Sequence, residues 1–229
     1  GGWCRPLDKS DFEQRPWVPH SGWPFTRATL EPYYPRAQAL VEAGPFDYEG
    51  KYKQWVDRYG APLKLGAGGV YNSWFQFSKM RGSELPTNFG ERYATDLKRI
   101  SNLTVFLHAI VTNIALASDA NSVDHLDVAT LNGRKFTVKA KHVVLATGGI
   151  ENVRLLLASN GVMKQGIGNA NDLVGRFFLD NPIPRQTAKL VSFCGPIAPY
   201  YPSNQRSDGA VFRATLAVTD DYKKASHVM

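Results

Sequence analysis

The residues whose types and spacing most favour chemistry are Thr147, Gly148 and Gly149, which stand between an apolar run at 142–146 and a leucine-rich stretch at 151–159. The apolar run is typical of a strand buried in a parallel sheet, and the leucine-rich stretch predicts a packed helix. Glycine lets the backbone approach a bulky ligand, and a helix N-terminus presents unpaired N–H groups to an anion. The pattern predicts a nucleotide-binding turn; an ordinary strand-to-helix turn is the alternative.

Three strands of an antiparallel meander are predicted immediately before this turn, at residues 111–117, 125–131 and 135–140. Asn132 and Gly133 separate the last two strands and favour a type I′ hairpin, because both turn residues need positive φ. An amphipathic helix is predicted at 91–100 and a short apolar strand at 103–106. The order of meander, buried strand, glycine turn and helix is typical of flavoproteins with a dinucleotide-binding fold.

The composition restricts the class of protein. The 229 residues are 43% hydrophobic and 21% charged, which fits one large globular domain or parts of two. The net charge is +7, but like charges never form a long run, so we expect no nucleic-acid partner. No apolar run is long enough for a membrane span. The two cysteines and five histidines have no ligand spacing, so no metal site is predicted. These features do not indicate a cellular compartment.

The first forty residues are dense in Trp, Tyr and Pro, which predicts a segment that wraps over a surface, with a short helix near 29–41. A second helix is predicted at 45–60, followed by loops and short strands at 61–90. Aromatic rings also stack on sugar faces, so a carbohydrate-binding module is the alternative class of protein. Such a module would not need the buried strand and glycine turn at 142–149, which favours the nucleotide-binding interpretation.

Four stretches, in this order along the chain, resemble the glucose-methanol-choline (GMC) family of FAD-dependent oxidoreductases. They are residues 11–34 with their GWPF and LEPYY blocks, 102–114 (NLTVFLHAIVTNI), 143–159 (VVLATGGIENVRLLLAS) and 174–182 (VGRFFLDNP). Together they are spread over most of the span from residue 1 to residue 185. In the last stretch Asn181 stands where the family usually has a histidine, so we do not expect the role of that imidazole here.

The resemblance implies a mixed α/β (α+β) fold. Its parts are an FAD/NAD(P)-binding doubly wound parallel sheet with a β-meander, and part of an antiparallel-sheet substrate domain. The implied domains are a flavin-lining segment with the start of the substrate domain or lid (1–90), part of the FAD-binding domain (91–175) and the start of the substrate-binding domain (176–229). We expect the chain to be an internal fragment of such an enzyme.

The resemblance also implies which residues contact FAD. Main chain at the start of the chain would line the flavin, one residue would meet the adenine, and the glycine turn would lie against the cofactor: these are Gly1, Gly2, Trp3 and Cys4, then Val111, then Ala146, Thr147 and Gly148. The implied reaction is oxidation of a CH–OH group of an alcohol, sugar or polyol by hydride transfer to flavin. Oxygen, a quinone or a cytochrome would accept the electrons.

No catalytic residue is predicted within the chain, since the family's catalytic histidine is expected beyond Met229. Among the histidines present, His20 is the candidate nearest to possible chemistry, while His108 and His142 are predicted to lie in strands. The G-x-G-x-x-G fingerprint is expected upstream of Gly1. Two partial matches, at 66–71 and 166–171, are predicted to be ordinary loops because neither has the third glycine.

Overall fold

The computed structural model describes residues 3–48, 62–66, 68–78, 88–180 and 211–228. The chain divides into two compact units: unit 1 comprises Gly1–Ser101 and Lys189–Met229, and unit 2 comprises Asn102–Ala188. Each unit contains a three-stranded antiparallel sheet together with helices, so the fold is α+β. No helix among the described residues is long and apolar enough to cross a membrane. The domain bounds inferred from the sequence stay predictions.

The strands are β1 (Trp3–Cys4), β2 (Val70–Phe77), β3 (Ala109–Leu116), β4 (Val123–Thr130), β5 (Lys135–Val138) and β6 (Val211–Val218). The helices are a 3-10 turn at Lys9–Asp11, α1 (Arg27–Leu30), α2 (Tyr34–Leu40), α3 (Phe89–Arg99), α4 (Gly149–Ala158) and α5 (Asp220–Ser226). The helix predicted at 91–100 is confirmed as α3. The helix predicted near 29–41 is divided into α1 and α2, and Pro35 occupies the second position of α2, where its missing N–H costs nothing.

The sheet of unit 1 has the order β1-β2-β6, and its buried face forms the core of that unit. Trp74 lies opposite Ala214 and Gln76 lies opposite Phe212, so these four side chains share one face. All four are at most 2% exposed, and the rings of Trp74 and Phe212 are 5.7 Å apart. Helix α2 packs near this face through a polar contact.

That contact joins Gln38 on α2 to Gln76 on β2. Gln38 Nε2 donates a hydrogen bond to Gln76 Oε1 at 3.0 Å, and the Tyr48 hydroxyl donates to Gln38 Oε1 at 3.0 Å. Gln76 Nε2 donates to the carbonyl oxygens of Pro45 at 3.0 Å and Asp47 at 2.9 Å. Both buried amides are therefore satisfied, and they hold α2 and the following loop against the sheet.

The sheet of unit 2 is the meander β3-β4-β5, which confirms the prediction from the sequence. The predicted type I′ hairpin is wrong, because Gly133 has φ +82° while Asn132 does not have positive φ. The Thr130 N–H donates to the Arg134 carbonyl at 2.9 Å, which leaves a three-residue loop from Leu131 to Gly133. Loops of that length take a type I turn followed by one left-handed residue, and glycine suits that position.

Two predicted strands are absent from the structure. Residues 103–106 and 142–146 have no regular secondary structure, and they pair with no strand among the described residues. Val105 is 59% exposed and Val144 is 86% exposed, so the expected burial is wrong as well. A strand needs a neighbour to satisfy its backbone N–H and C=O groups, and neither segment has one. The helix predicted at 45–60 lies largely outside the described residues.

Replacing Gln38 tests whether the buried hydrogen bonds of the glutamine pair stabilise unit 1. Replacement of Gln38 by Ala leaves Gln76 Oε1 and the Tyr48 hydroxyl without their partner. We expect the free energy of unfolding to fall by at least about 1–3 kcal/mol, the cost of an unsatisfied buried group. Denaturant unfolding followed by tryptophan fluorescence reports this unit, because all five tryptophans lie within it. The same change at exposed Gln14 is the control, and equal losses for both variants would contradict this assignment.

Candidate functional site

The glycine turn lies directly before α4 and is open to solvent. Gly148 is the N-cap residue, with φ +96° and ψ 159°, and no side chain caps the helix. A Cβ added at Gly148 or at Gly149 would have no atom within 4 Å. The backbone at Gly148 therefore adopts a conformation that glycine alone takes readily, and the positions of the two missing Cβ atoms are open.

Asn152 fixes the shape of this turn. Its Oδ1 accepts hydrogen bonds from the Thr147 backbone N–H at 3.0 Å and from the Thr147 hydroxyl at 2.6 Å. Its Nδ2 donates to the Leu145 carbonyl at 3.4 Å. The first backbone bond of the helix runs from the Asn152 N–H to the Gly148 carbonyl at 2.9 Å. The side chain of Thr147 is thus engaged within the turn, and the N–H groups of Gly149, Ile150 and Glu151 precede the first backbone bond of the helix.

The other end of α4 is anchored to the meander. The hydroxyl of Ser159 accepts a hydrogen bond from the Ile114 backbone N–H on β3 at 2.9 Å and donates one to the Leu155 carbonyl at 2.7 Å. Ser159 and Leu155 are each 2% exposed, and Ile114 is 5% exposed. One buried hydroxyl therefore connects sheet and helix with both of its bonding roles satisfied.

The loop after α4 packs against the same helix. The Ile167 N–H donates to the Leu156 carbonyl at 2.9 Å, and a Cβ at Gly166 (φ +95°) would lie 2.8 Å from the Leu157 Cα. Buried Asn169 closes this loop through its amide, which donates to Gln165 and accepts from Val174. The glycine repeat at 166–168 therefore belongs to a loop that packs on a helix, as predicted.

Val111, the residue assigned to the adenine, lies half-buried on β3 opposite Val128. The register shifts between Val111 and Asn113, so Thr112 is the extra residue of a β-bulge. Asn113 Nδ2 donates to Asp127 Oδ2 at 2.8 Å on the far side of this bulge. Val111 and the glycine turn both belong to unit 2.

The predicted flavin-lining residues belong to unit 1. Cys4 lies opposite Gln76 in the sheet and Trp3 lies opposite Phe77, while Gly1 and Gly2 fall outside the described residues. Cys4 borders a cavity of about 170 Å³ that Gln38 also lines. Burial raises the pKa of the Cys4 thiol, which therefore stays protonated near neutral pH. The predicted set is thus divided between the two units.

Two of the histidines lie in places that differ from the prediction. His108 and His142 are exposed and lie outside the strands, since His108 has φ +54° and directly precedes β3. His20 is exposed in a turn with φ +58°. His227 ends α5 and stacks on Trp17, with ring centroids 5.5 Å apart. Among the described residues, no group of three or more His, Cys, Asp or Glu side chains could hold a metal ion.

The meander carries a polar cluster that was not predicted from the sequence. His125 Nδ1 lies 2.7 Å from Asp124 Oδ2, and its Nε2 lies 3.4 Å from Asp127 Oδ1. Lys139 Nζ is 3.3 Å from Asp124 Oδ1. Hydrogen bonds from His125 and from Lys139 hold the pKa of Asp124 below its ordinary value. The signal in the sequence was the D-H-x-D spacing, which places His125 and Asp127 on one face of a strand.

The aromatic residues near the start of the chain pack on one another. Trp23 is 55% exposed, but its ring lies 6.3 Å from Phe12 and 5.6 Å from Phe25. Phe12 is 6% exposed and forms the centre of this group. Packing of a proline-rich segment accounts for these aromatics, so they do not favour a carbohydrate-binding module.

The two adjacent glycines provide a matched test of the turn. Gly148→Ala adds a Cβ at a positive φ, and we expect the free energy of unfolding of unit 2 to fall by about 1–3 kcal/mol. Gly149→Ala adds a Cβ in equally open space at a helical position, so stability should be unchanged or slightly raised. Amide hydrogen exchange of β3 and β4 measures both. Equal effects of the two variants would contradict the strained geometry at Gly148.

Comparison with protein-family models, with curated proteins and with solved structures finds no significant match to this chain.

Proposed function

We propose that the protein is an FAD-dependent oxidoreductase of the GMC type that oxidises a CH–OH group of an alcohol, a sugar or a polyol by hydride transfer to the flavin. The observation that carries this proposal is the conformation of Gly148, which opens the start of α4 to a ligand. The order of motifs along residues 11–182 supports it. Oxygen, a quinone or a cytochrome is the proposed electron acceptor.

The start of α4 fits the diphosphate or another electron-rich part of FAD. The N–H groups of Gly149, Ile150 and Glu151 precede the first intrahelical bond, and no side chain among the described residues caps the helix at Gly148. The Glu151 carboxylate is directed along the helix, where Oε2 lies 2.8 Å from Arg154 Nε. Its negative charge is therefore partly compensated by a cation of the same helix, and an anionic ligand would still be attracted to the N-terminus.

The two unpaired apolar segments support the proposed dinucleotide-binding fold. Residues 103–107 and 142–146 flank the meander in sequence, and Phe106 and Val144 are 60% and 86% exposed. Apolar side chains with such exposure indicate a surface that another element covers. We propose that both segments become strands of a doubly wound parallel sheet when further strands pair with them. The glycine turn would then follow the carboxyl end of a sheet strand, where such folds bind ligands.

The flavin supplies the hydride chemistry when bound, and the chain supplies position. Asn152 holds the Thr147–Gly148 backbone in the shape that leaves the helix start open. Ser159 fixes the helix against β3, so the turn cannot move independently of the meander that carries Val111. The Cys4 thiol stays protonated, so we propose a main-chain role for that residue and no role as a base.

A charge substitution in the turn tests the proposal. The protein purified at its encoded length should contain FAD, seen as visible flavin absorbance. Gly149→Glu places a carboxylate at the start of α4, where it stabilises the helix but repels an anionic cofactor. We expect at least a tenfold loss of FAD affinity, on the order of one charge-assisted hydrogen bond or more. Titration of the apoprotein with FAD measures the change.

Gly161→Glu is the matched control, because Gly161 also has open space around it and lies in the same unit, beyond the other end of α4. That variant should bind FAD as tightly as the unaltered protein. Absence of flavin from the encoded-length protein, or equal affinities for the two glutamate variants, would refute the proposed cofactor site. Reduction of bound flavin by a panel of alcohols and sugars then identifies the class of substrate.

A further inference from the structure

We propose that unit 1 binds a small oxyanion, a carboxylate or inorganic phosphate, in a cavity of about 140 Å³ between the loop after β1 and one face of β2. The residues that would recognise the ion are Arg5, Arg27, Tyr71 and Ser73. The volume is below the roughly 300–1,000 Å³ of sites for drug-sized ligands, so the cavity suits a small ion. The cavity lies in unit 1, whereas the glycine turn of the proposed cofactor site belongs to unit 2.

The hydroxyl groups of β2 give the first reason. Tyr71 and Ser73 are two residues apart on this strand and therefore face the same side of the sheet. Ser73 is 4% exposed, and its hydroxyl has no hydrogen-bond partner. The Tyr71 hydroxyl accepts a bond from Arg5 at 3.1 Å, while no described residue accepts its proton. A buried unpaired hydroxyl is costly, so the Ser73 hydroxyl indicates a missing partner at this cavity, and both hydroxyls can donate to an acceptor placed there.

The charges give the second reason. The side chains of Arg5 and Arg27 are only 23% and 12% exposed, and both line the cavity. Asp8 is the one carboxylate among the described lining residues, and it already accepts a bond from Arg5 at 2.7 Å. Glu31 lies 3.7 Å from Arg27 and is 54% exposed. Two largely buried guanidinium groups therefore line the cavity.

The positive charge of the two guanidinium groups favours a charged ligand over a neutral one. A neutral polyol could bond to the hydroxyls and to Asp8, but it would gain no Coulombic attraction from Arg5 and Arg27. A carboxylate or phosphate brings acceptors with negative charge, and a planar guanidinium binds such groups through two parallel N–H bonds. The arrangement therefore favours an oxyanion over a polyol of the same size.

The test is calorimetric titration of the full chain with sodium phosphate and with sodium acetate, at an ionic strength held constant with sodium chloride. We expect saturable binding of at least one of the two ions, and no binding of glycerol. Ser73→Ala should weaken binding about tenfold, on the order of one hydrogen bond to a charged group. Without the ion, the same variant should unfold at an equal or higher temperature, because an unpaired buried hydroxyl is removed.

Arg27→Gln should weaken ion binding at least as much, whereas Arg36→Gln should leave it unchanged. Arg36 is an exposed arginine of α2 outside the cavity and serves as the matched control. The proposal is overturned if neither ion binds saturably, if glycerol binds as tightly as phosphate, or if Ser73→Ala binds the ions as the unaltered protein does.

Discussion

The hydrogen bond between the Ile114 N–H and the Ser159 hydroxyl is the contact on which the geometry of unit 2 depends. It joins the third strand to the end of α4, and the loop that contains Gly166 presses on the same part of the helix. A helix fixed at one end carries its other end rigidly, because each backbone bond along it holds the next turn. The open glycine turn at the start of α4 is therefore held in place by contacts made at the opposite end of the helix.

In unit 1, buried hydrogen bonds between other residues likewise hold a helix near a sheet. The paired amides of Gln38 and Gln76 are buried and fully bonded, and they hold α2 near the sheet that includes Cys4. Where β2 turns its other face to the loop after β1, the hydroxyl of Ser73 is instead unpartnered. The glutamine amides are satisfied and serve as scaffold, whereas the unsatisfied hydroxyl of Ser73 lines the proposed binding cavity.

Local patterns in the sequence correctly predicted those elements whose structure is determined by residues close together in the sequence. The meander and α3 are confirmed because alternation and helical spacing reflect which face is buried. The hairpin at Gly133 was mispredicted because the turn type follows the register of the strands, which the Asn-Gly pair alone does not determine. The segment at 142–146 has the composition of a buried strand, yet burial requires a partner strand that the described residues do not provide.

The contacts that position the candidate sites could not be predicted in the same way. Gln38 and Gln76 are 38 residues apart, and Ile114 and Ser159 are 45 apart, so no periodicity relates them. The role of Asn152 could have been predicted from the sequence, since a short polar side chain in the first turn of a helix often bonds the preceding backbone. The burial of the Ser73 hydroxyl without a partner among the described residues depends on the packing of β2, the loop after β1 and α1, so it could not be predicted from the sequence.

The central claim is that the start of α4 binds FAD, and amide hydrogen exchange of the encoded-length protein with and without FAD tests it most directly. We predict that the amides of Gly149, Ile150 and Glu151 exchange markedly more slowly when FAD is bound, while the amide of Gly161 exchanges at the same rate in both states. Bound FAD with unchanged exchange at Gly149, Ile150 and Glu151 would contradict the account.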